Sequence, residues 1–332
     1  MAKIDLPVPG RPQVLIQADG ETSLAQLDRG EIESLYKAHG AILFRGFGAD
    51  AEQFRNFAWQ FCRTSVFNES PGRSPIDPEN NIHTVDGGTR AFALHAELSR
   101  EPWQPDVAFF GCLSAPRSGG QTTICDGIAL VRALPEDVRR GLEGRRFLHI
   151  KGTWPELLKF WLGTPAPTDQ QLASPPPHCP YGFRRIDGQI VRYFTRPILA
   201  RPMFADEPAF ANFLLFARFN HNNPDYPLLD DGQPVPDAWV AEIKAAGDRL
   251  MVAVDWRPGD VLMLDNTRFM HGRTEILDTQ ERLIATFFGY LKFARPSAEE
   301  PDPAPWRRID FCPPLPPGNA ARREALRQQG VG

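Results

Sequence analysis

Two histidines and a glutamate form the most specific chemical pattern in this sequence. His95 and Glu97 stand two residues apart in ALHAELSREP (93–102). Residues two apart on a β-strand point to the same face, so both side chains can face the interior of a β-barrel. His271 closely follows a separate predicted strand. Two imidazoles and one carboxylate leave three adjacent positions open on an octahedral ferrous ion, as needed to bind a bidentate keto acid beside dioxygen.

Other interpretations of these three residues remain open from the residues alone. An H-x-E pair also arises by chance, and His271 has the neighbours of an ordinary loop histidine. Two histidines and a glutamate also form hydrolytic zinc sites. Such sites usually carry a helical HExxH spacing, which this sequence lacks. A zinc site or a non-catalytic metal-binding β-barrel is therefore the remote alternative to iron.

The order of the motifs resembles that of a known family. H-x-E is followed by GGQTTICDG (119–127), PGD (258–260), DNTRFMHGR (265–273) and a strand that Arg282 opens. Over about residues 38–292 the chain resembles the taurine dioxygenase-like, or clavaminate synthase-like, branch of the Fe(II)- and 2-oxoglutarate-dependent oxygenases. The resemblance implies a double-stranded β-helix (jelly-roll) core. It also implies that Fe(II), 2-oxoglutarate and O2 take part in the reaction.

The resemblance assigns roles to individual residues. His95, Glu97 and His271 match the metal ligands, and Thr122 and Arg282 match the residues that bind the distal carboxylate of 2-oxoglutarate. Arginine suits this second role because its guanidinium offers two parallel donors and keeps its proton.

Two departures from the family pattern affect these assignments. Many members have aspartate where this chain has Glu97, and the longer side chain is typical of the clavaminate synthase and asparagine oxygenase branch. Many members also have a further arginine at the position of Thr286. Its absence leaves Arg273 as a competitor of Arg282 for the keto acid. Halogenating relatives replace the carboxylate ligand with a small residue, so Glu97 favours oxygen transfer.

Residues near these motifs are candidates for substrate binding. The candidates are Asn81, His83, Arg90, Ser99, Arg100 and Arg268. Several are cationic, which favours an anionic or amino-acid-like substrate. With NNIHTVDGG (80–88) before the metal motif, the chain most resembles hydroxylases that act on an unactivated C–H bond of free or carrier-protein-tethered amino acids in biosynthetic pathways. A catabolic oxygenase of a small sulfonate or carboxylate, or desaturation or cyclisation at the same iron, is the alternative.

Composition narrows the class of partner. The chain has 332 residues, of which 42% are hydrophobic and 23% charged, as in ordinary globular proteins. A net charge of −4 without a long basic run argues against nucleic acid and against an anionic membrane surface. Five scattered cysteines and the lack of a long apolar segment favour a reducing compartment, with the cytoplasm as the default. The predicted partner is a small molecule, and the oligomeric state stays open, a homo-oligomer included.

Periodicity predicts the elements that must position these residues. The 33 prolines and 23 phenylalanines favour a β core with many loops. Helices are predicted near 31–39, 50–63, 134–142, 154–161, 207–219 and 236–249, and strands at 41–47, 91–97, 107–113, 121–126, 146–151, 252–256, 261–264 and 282–291.

The remaining segments complete the predicted organisation. Residues 66–90 are predicted to form a loop, 153–180 an insertion that acts as a lid, and 295–332 an irregular C-terminal tail. The predicted fold is mainly β with inserted helices, in one oxygenase domain over residues 1–332.

Overall fold

A computed structural model describes residues 1–68, 70, 72–278 and 282–318. Its strands are β1 (Lys3–Asp5), β2 (Val14–Gln17), β3 (Ala41–Arg45), β4 (Cys62–Ser65), β5 (Pro75–Asp77), β6 (Ile82–Thr84), β7 (Phe92–His95), β8 (Val107–Ser114), β9 (Thr122–Asp126), β10 (Arg146–Gly152), β11 (Gly182–Ile186), β12 (Gln189–Pro197), β13 (Leu228–Leu229), β14 (Val252–Ala253), β15 (Val261–Asp265), β16 (Phe269–Arg273) and β17 (Leu283–Leu291). Its α-helices are α1 (Arg29–His39), α2 (Ala51–Phe61), α3 (Gly127–Ala133), α4 (Glu136–Leu142), α5 (Pro155–Leu162), α6 (Asp169–Ala173), α7 (Leu214–Phe219) and α8 (Asp237–Leu250).

The strands form three sheets. A nine-stranded sheet has the order β1-β2-β3-β15-β8-β17-β6-β5, with β4 also paired to β17. A four-stranded sheet has the order β14-β9-β16-β7, and a second four-stranded sheet has the order β11-β12-β10-β13. The prediction of a mainly β fold with inserted helices is confirmed.

Helix α2 covers one face of the nine-stranded sheet. The side chain of Asp50 caps its first turn by accepting a hydrogen bond from a backbone amide over 2.8 Å. Phe54, Phe57 and Phe61 recur at helical spacing and are all buried. The ring of Phe57 meets that of Phe44 on β3 edge to face, with the centroids 4.8 Å apart. The helical periodicity in the sequence therefore corresponds to a real buried face.

The other face of the nine-stranded sheet packs on the sheet β14-β9-β16-β7. One buried cluster contains Phe110 and Phe288 from the large sheet together with Ile124 and Phe269 from the small one. The rings of Phe110 and His271 lie 5.0 Å apart, centroid to centroid. The predicted metal motifs therefore lie between two packed sheets.

Three predicted segments differ from the structure. The segment 66–90, predicted as a loop, contains β5 and β6, which are too short to show an alternating pattern. The helix predicted from 207 begins only at Leu214, and Pro208 disfavours helical geometry in the residue before it. The hairpin β11–β12 was missed, although its Asp187-Gly188 turn, with φ of 48° and 78°, is a strong hairpin signal.

The insertion 153–180 forms two helices and packs on the protein. Leu157 and Trp161 of α5 are buried. The ring of Trp161 lies 5.7 Å from that of Tyr181 and 6.1 Å from that of Phe311, centroid to centroid. The helix predicted at 154–161 is confirmed. The lid role of the insertion stays a prediction.

The described part of the C-terminal tail is irregular apart from a short 3-10 helix at Pro305–Arg307. Trp306 is buried, and Arg307 donates two hydrogen bonds of 2.9 Å to the buried carboxylate of Asp106. The same guanidinium pairs with Glu300 at 2.8 Å. Residues 319–332 lie outside the described residues. Among those that are described, no helix combines the length and apolar character that crossing a bilayer requires.

Two neighbouring arginines test how the tail is attached. We expect Arg307→Ala to lower the free energy of unfolding by about 3–5 kcal/mol, because it leaves the Asp106 carboxylate buried without its cation. Arg308→Ala is the matched control, because Arg308 pairs with Asp310 in solvent and its loss should not change stability measurably. Urea unfolding of both variants measures the difference, and equal stabilities would contradict the buried pair.

Candidate metal centre

The pairing of β7 with β16 brings the two histidines together. His95 and His271 are direct partners in this antiparallel pair, and their rings lie 4.4 Å apart, centroid to centroid. Glu97 Oε2 lies 3.7 Å from His271 Nε2. One candidate ligand atom from each of the three residues lies within 4.8 Å of the others, and all three side chains are buried. The structure thus brings the predicted ligands to one point.

Glu97 reaches this point differently from the prediction. Strand β7 ends at His95, and Glu97 begins the turn that follows. Asn266 holds this turn in place: its Oδ1 accepts a hydrogen bond of 2.7 Å from the amide of Glu97, and its Nδ2 donates one of 3.0 Å to the carbonyl of Glu97. Nδ2 also donates to the carbonyl of Pro105 at 2.9 Å. The position of Glu97 therefore depends on a distant asparagine rather than on strand alternation.

Both imidazoles are in a state suited to metal binding, because each is neutral. The Nδ1 of His95 lies 2.9 Å from the carbonyl oxygen of Ala93, so that nitrogen carries the proton and Nε2 is left as the ligand atom. Burial lowers the pKa of His95, although Glu97 opposes the shift. Burial, with His95 and Arg73 adding to it, holds the pKa of His271 well below its usual range. Neutral imidazoles beside one carboxylate fit a divalent metal such as Fe(II).

Arg282 has a guanidinium with one buried nitrogen that finds no hydrogen-bond acceptor among the described residues. Its Nε donates to the carbonyl of Gly120 at 3.0 Å, while its Nη2 is buried and finds no acceptor among the described residues. Burial, with Arg273 adding to it, lowers the pKa of Arg282 to about 10. A buried unsatisfied donor is costly, so this nitrogen fits an anion bound beside the metal. Gly120 makes the approach possible, since a Cβ there would lie 2.9 Å from Arg282 Nε.

Thr122 lies on β9, opposite Arg273 in the register of β9 with β16. Its hydroxyl oxygen accepts a hydrogen bond of 3.1 Å from the indole nitrogen of Trp256. The hydroxyl hydrogen can then be donated to an acceptor in the site. Trp256 is a supporting residue that the sequence analysis missed, although it lies two residues before the PGD motif.

Arg273 is engaged elsewhere. Its Nη1 donates to the carbonyl of Asp86 at 2.8 Å, and its Nη2 donates to the carbonyls of Gly88 and Arg90 at 3.0 and 2.8 Å. The guanidinium also lies 4.1 Å from the ring centroid of Phe92. Arg273 therefore fixes the segment 86–90 through both Nη atoms, although its Nε, like Nη2 of Arg282, is buried without a hydrogen-bond partner among the described residues.

A cavity of about 480 Å³ opens over the three candidate ligands. Five arginines line it, namely Arg73, Arg90, Arg100, Arg273 and Arg282. Two carboxylates line it, namely Asp86 and Glu97. Its aromatic wall consists of Phe92, Phe110, Phe213 and Phe216. Among the described residues, the lining therefore combines cationic and aromatic side chains, and the guanidinium groups of Arg100 and Arg273 lie over the rings of Phe213 and Phe92.

Two of the six predicted substrate residues, Arg90 and Arg100, line this cavity. The other four are not among the residues that line it. Asn81 donates to the carbonyl of Val66 at 2.9 Å, Ser99 donates to the carbonyl of Ala96 at 2.8 Å, Arg268 pairs with Asp126 at 2.6 Å, and His83 lies opposite Thr286 in the β6–β17 pair. Asn81, Ser99 and Arg268 therefore make hydrogen bonds or ion pairs within the protein, and His83 takes part in strand pairing.

Several cavity residues were missed by the sequence analysis. They are Arg73, Asp86, Phe213, Phe216 and His221. Arg73 comes from a polar segment without a recognisable motif, and Asp86 lies in NNIHTVDGG (80–88), from which only Asn81 and His83 were proposed as substrate residues. The two phenylalanines were recognised only as a helix face. Their neighbours in the cavity come from distant parts of the chain, so no local pattern identifies them.

Asn266 provides a test of how Glu97 is positioned. Asn266→Asp keeps the acceptor for the Glu97 amide but replaces the donor that faces two carbonyls. We expect affinity for Mn(II), measured by electron paramagnetic resonance of the free ion, to fall about tenfold or more. Urea unfolding of the metal-free variant should also show a loss of about 1–3 kcal/mol. Unchanged affinity would show that Asn266 does not position the ligand.

Known proteins of similar sequence and fold were compared with this chain. A clavaminate synthase-like protein of Arabidopsis thaliana is 24% identical over 80% of this chain and 86% of its own length. The dapdiamide synthesis protein DdaC of Enterobacter agglomerans is 21% identical over 80% of this chain and 88% of its own length. PvcB of Pseudomonas aeruginosa shares the fold with a TM-score of 0.55, at 15% identity over 88% of this chain and 93% of its own.

A family model decides the relationship. The model of the taurine catabolism dioxygenase TauD, TfdA family matches residues 9–287, which is most of the chain. The basic cavity, the two histidines and the glutamate all lie within the matched region. The chain therefore belongs to the TauD, TfdA family and is an iron- and 2-oxoglutarate-dependent dioxygenase.

Proposed function

We propose that this dioxygenase hydroxylates an unactivated C–H bond of an amino-acid-like substrate, free or tethered to a carrier protein, in a biosynthetic pathway. The observation that carries the proposal is the cavity over His95, Glu97 and His271, which cationic and aromatic side chains line together. Two relatives point in the same direction: one is named for dapdiamide synthesis, and a structure of PvcB is described as an Fe, alpha-ketoglutarate-dependent oxygenase from an isonitrile synthetic pathway.

We assign His95, Glu97 and His271 as the metal ligands and Thr122 with Arg282 as the partners of the distal carboxylate of 2-oxoglutarate. When bound, iron and 2-oxoglutarate supply the oxidative chemistry, in which O2 converts the keto acid to succinate and CO2 and the substrate C–H to C–OH. The buried Nη2 of Arg282, which has no acceptor in the described part of the chain, supports the role of Arg282. The protein contributes binding, orientation and exclusion of water.

The substrate side of the cavity combines both charges that an amino acid requires. Arg90 and Arg100 are suited to a carboxylate. Burial alone would raise the pKa of Asp86, but the charge of Arg73 and a 2.6 Å hydrogen bond from Ser70 outweigh burial and hold that pKa below its usual range. The Asp86 carboxylate is therefore ionised and suited to an ammonium group.

The aromatic wall is suited to an apolar side chain. Phe213 and Phe216 lie beside the metal ligand His95, with ring centroids 6.2 and 4.6 Å from that of the imidazole. A C–H bond resting against this wall would be held close to the metal and away from water. These residues support a substrate with an aliphatic or aromatic body.

Two finer points of organisation belong to the same proposal. The two sheets that enclose the site are proposed to form the double-stranded β-helix, within one oxygenase domain over residues 1–332.

The five cysteines are all free thiols, which supports a reducing compartment such as the cytoplasm.

Substrate-dependent formation of succinate tests the substrate class. A panel of amino acids, their carrier-bound thioesters, sulfonates and simple carboxylates should give succinate only with substrates that carry an ammonium group. In Asp86→Asn, the KM for such a substrate should rise about tenfold or more, because a charged hydrogen bond contributes about 1.5–3 kcal/mol. Turnover of sulfonates alone, unaffected by Asp86→Asn, would favour the catabolic alternative.

Arg282 and Arg273 form a matched pair for the keto acid. Arg282→Ala removes a buried cationic partner, a change that typically costs about 2–5 kcal/mol, so the affinity for 2-oxoglutarate should fall about 30-fold or more. Arg273→Ala should keep this affinity within about threefold, because Arg273 binds backbone carbonyls of the segment 86–90. Anaerobic titration of the Fe(II) protein with 2-oxoglutarate measures both. A loss confined to Arg273→Ala would reverse the assignment.

A further inference from the structure

Arg73 enters the metal centre from a segment that carries no recognised motif. It precedes β5, and its guanidinium is largely buried, with 9% of the side chain exposed. Its Nη2 donates a hydrogen bond of 2.9 Å to Glu97 Oε2. Its Nη1 donates one of 3.2 Å to the hydroxyl of Thr286 on β17. The guanidinium therefore links the carboxylate ligand to the nine-stranded sheet.

Two further contacts hold the same group. The guanidinium carbon lies 4.7 Å from the ring centroid of Phe288, a position suited to cation–π attraction. The Nε of Arg73 lies 3.5 Å from Asp86 Oδ2. The side chain thus has protein neighbours on its face and on its edges, although its Nε makes no hydrogen bond among the described residues. A group held by Glu97, Thr286 and Phe288 is suited to orienting the carboxylate that it contacts.

A glutamate ligand needs such orientation. Its side chain has one more rotatable bond than aspartate, so its carboxylate can turn in more ways about a metal. The backbone of Glu97 is fixed by Asn266, but that contact leaves the side-chain torsions undetermined. Arg73 contacts Oε2, the same oxygen that lies 3.7 Å from His271 Nε2. Its position therefore determines how the carboxylate faces the two histidines.

The charges around Arg73 support its role in orienting Glu97. A guanidinium beside a divalent metal is unfavourable unless carboxylates offset the repulsion, and Arg73 lies between two of them, Glu97 and Asp86. The hydrogen bond to Oε2 also fixes the rotation of the Glu97 carboxylate about its last side-chain bond, which favours coordination through a single oxygen. Coordination through one oxygen keeps three adjacent positions available for the keto acid and O2.

We propose that Arg73 is a positioning residue that holds the Glu97 carboxylate as a ligand through one oxygen. Its support comes from Thr286 and Phe288 on β17. The inference rests on the assignment of Glu97 as a metal ligand in the proposed function. It adds a residue, contributed by the segment before β5, on which the metal affinity of this chain depends.

The test compares metal affinity in variants of the full-length protein without keto acid or substrate. Mn(II) is titrated and the free ion is counted by electron paramagnetic resonance. In Arg73→Gln the dissociation constant should rise about 10–100-fold, the effect typical of residues that orient a ligand. Arg73→Lys should give an intermediate value, because lysine keeps the charge but lacks the planar pair of donors.

Arg55→Gln is the matched control. Arg55 pairs with Asp77 on β5 at 3.2 Å, so its loss loosens the same segment without touching Glu97. Its Mn(II) affinity should equal that of the wild type. Equal losses in Arg55→Gln and Arg73→Gln would overturn the inference, because a loosened segment would then explain both.

Three further results of the Mn(II) titrations also decide whether Arg73 orients Glu97. Wild-type affinity in Arg73→Gln, with a raised KM for the substrate alone, would overturn the inference and make Arg73 a substrate residue. Arg73→Lys serves as the deciding variant if Arg73→Gln fails to fold, and wild-type affinity in Arg73→Lys would then overturn it. A wild-type protein that binds no Mn(II) would overturn the proposed metal assignment itself, and this inference with it.

Discussion

The antiparallel pairing of β7 with β16 is the constraint on which the site depends. It places His95 opposite His271, and a shift of one residue would turn one imidazole to the other face of the sheet. Strand β9, on the other side of β16, pairs Thr122 with Arg273. These two registers of β16 together set the positions of the histidines, of the proposed keto-acid threonine and of the arginine that fixes the segment 86–90. The nine-stranded sheet then closes the site, with Phe110 against His271 and Arg282 opening β17.

Burial between the two sheets determines the electrostatics of the site. The same desolvation that lowers the pKa values of both histidines also lowers that of Arg282, so imidazoles stay neutral while a guanidinium with a pKa of about 10 stays charged at neutral pH. Few charges are tolerated in such a place without partners. Glu97 is paired with Arg73, whereas Arg282 keeps one buried donor without an acceptor among the described residues. The site thus has a cationic position ready for a bound carboxylate.

The sequence predicted the parts of this site that local pattern determines. The three proposed metal ligands and Arg282 lie in or beside strands with recognisable motifs, and strand periodicity identified most of the large sheet. Glu97 was predicted correctly as a neighbour of the histidines but for the wrong reason, because a turn held by Asn266 carries it. Arg73 and Asp86 could not be predicted as site residues, because they reach the cavity only when a polar segment folds over the sheet. The sequence also could not show that Asn81 and Ser99, which were proposed as substrate residues, donate their side-chain hydrogen bonds to backbone carbonyls.

Anaerobic absorption spectroscopy tests the central claim most directly. The account predicts that Fe(II) and 2-oxoglutarate together give the wild-type protein a visible charge-transfer band that neither gives alone, because the keto acid chelates an iron held by His95, Glu97 and His271. The band should be absent from Glu97→Ala, whose large core keeps it folded. A wild-type protein that binds both Fe(II) and 2-oxoglutarate without forming the band, or a Glu97→Ala variant that forms it normally, would contradict the account.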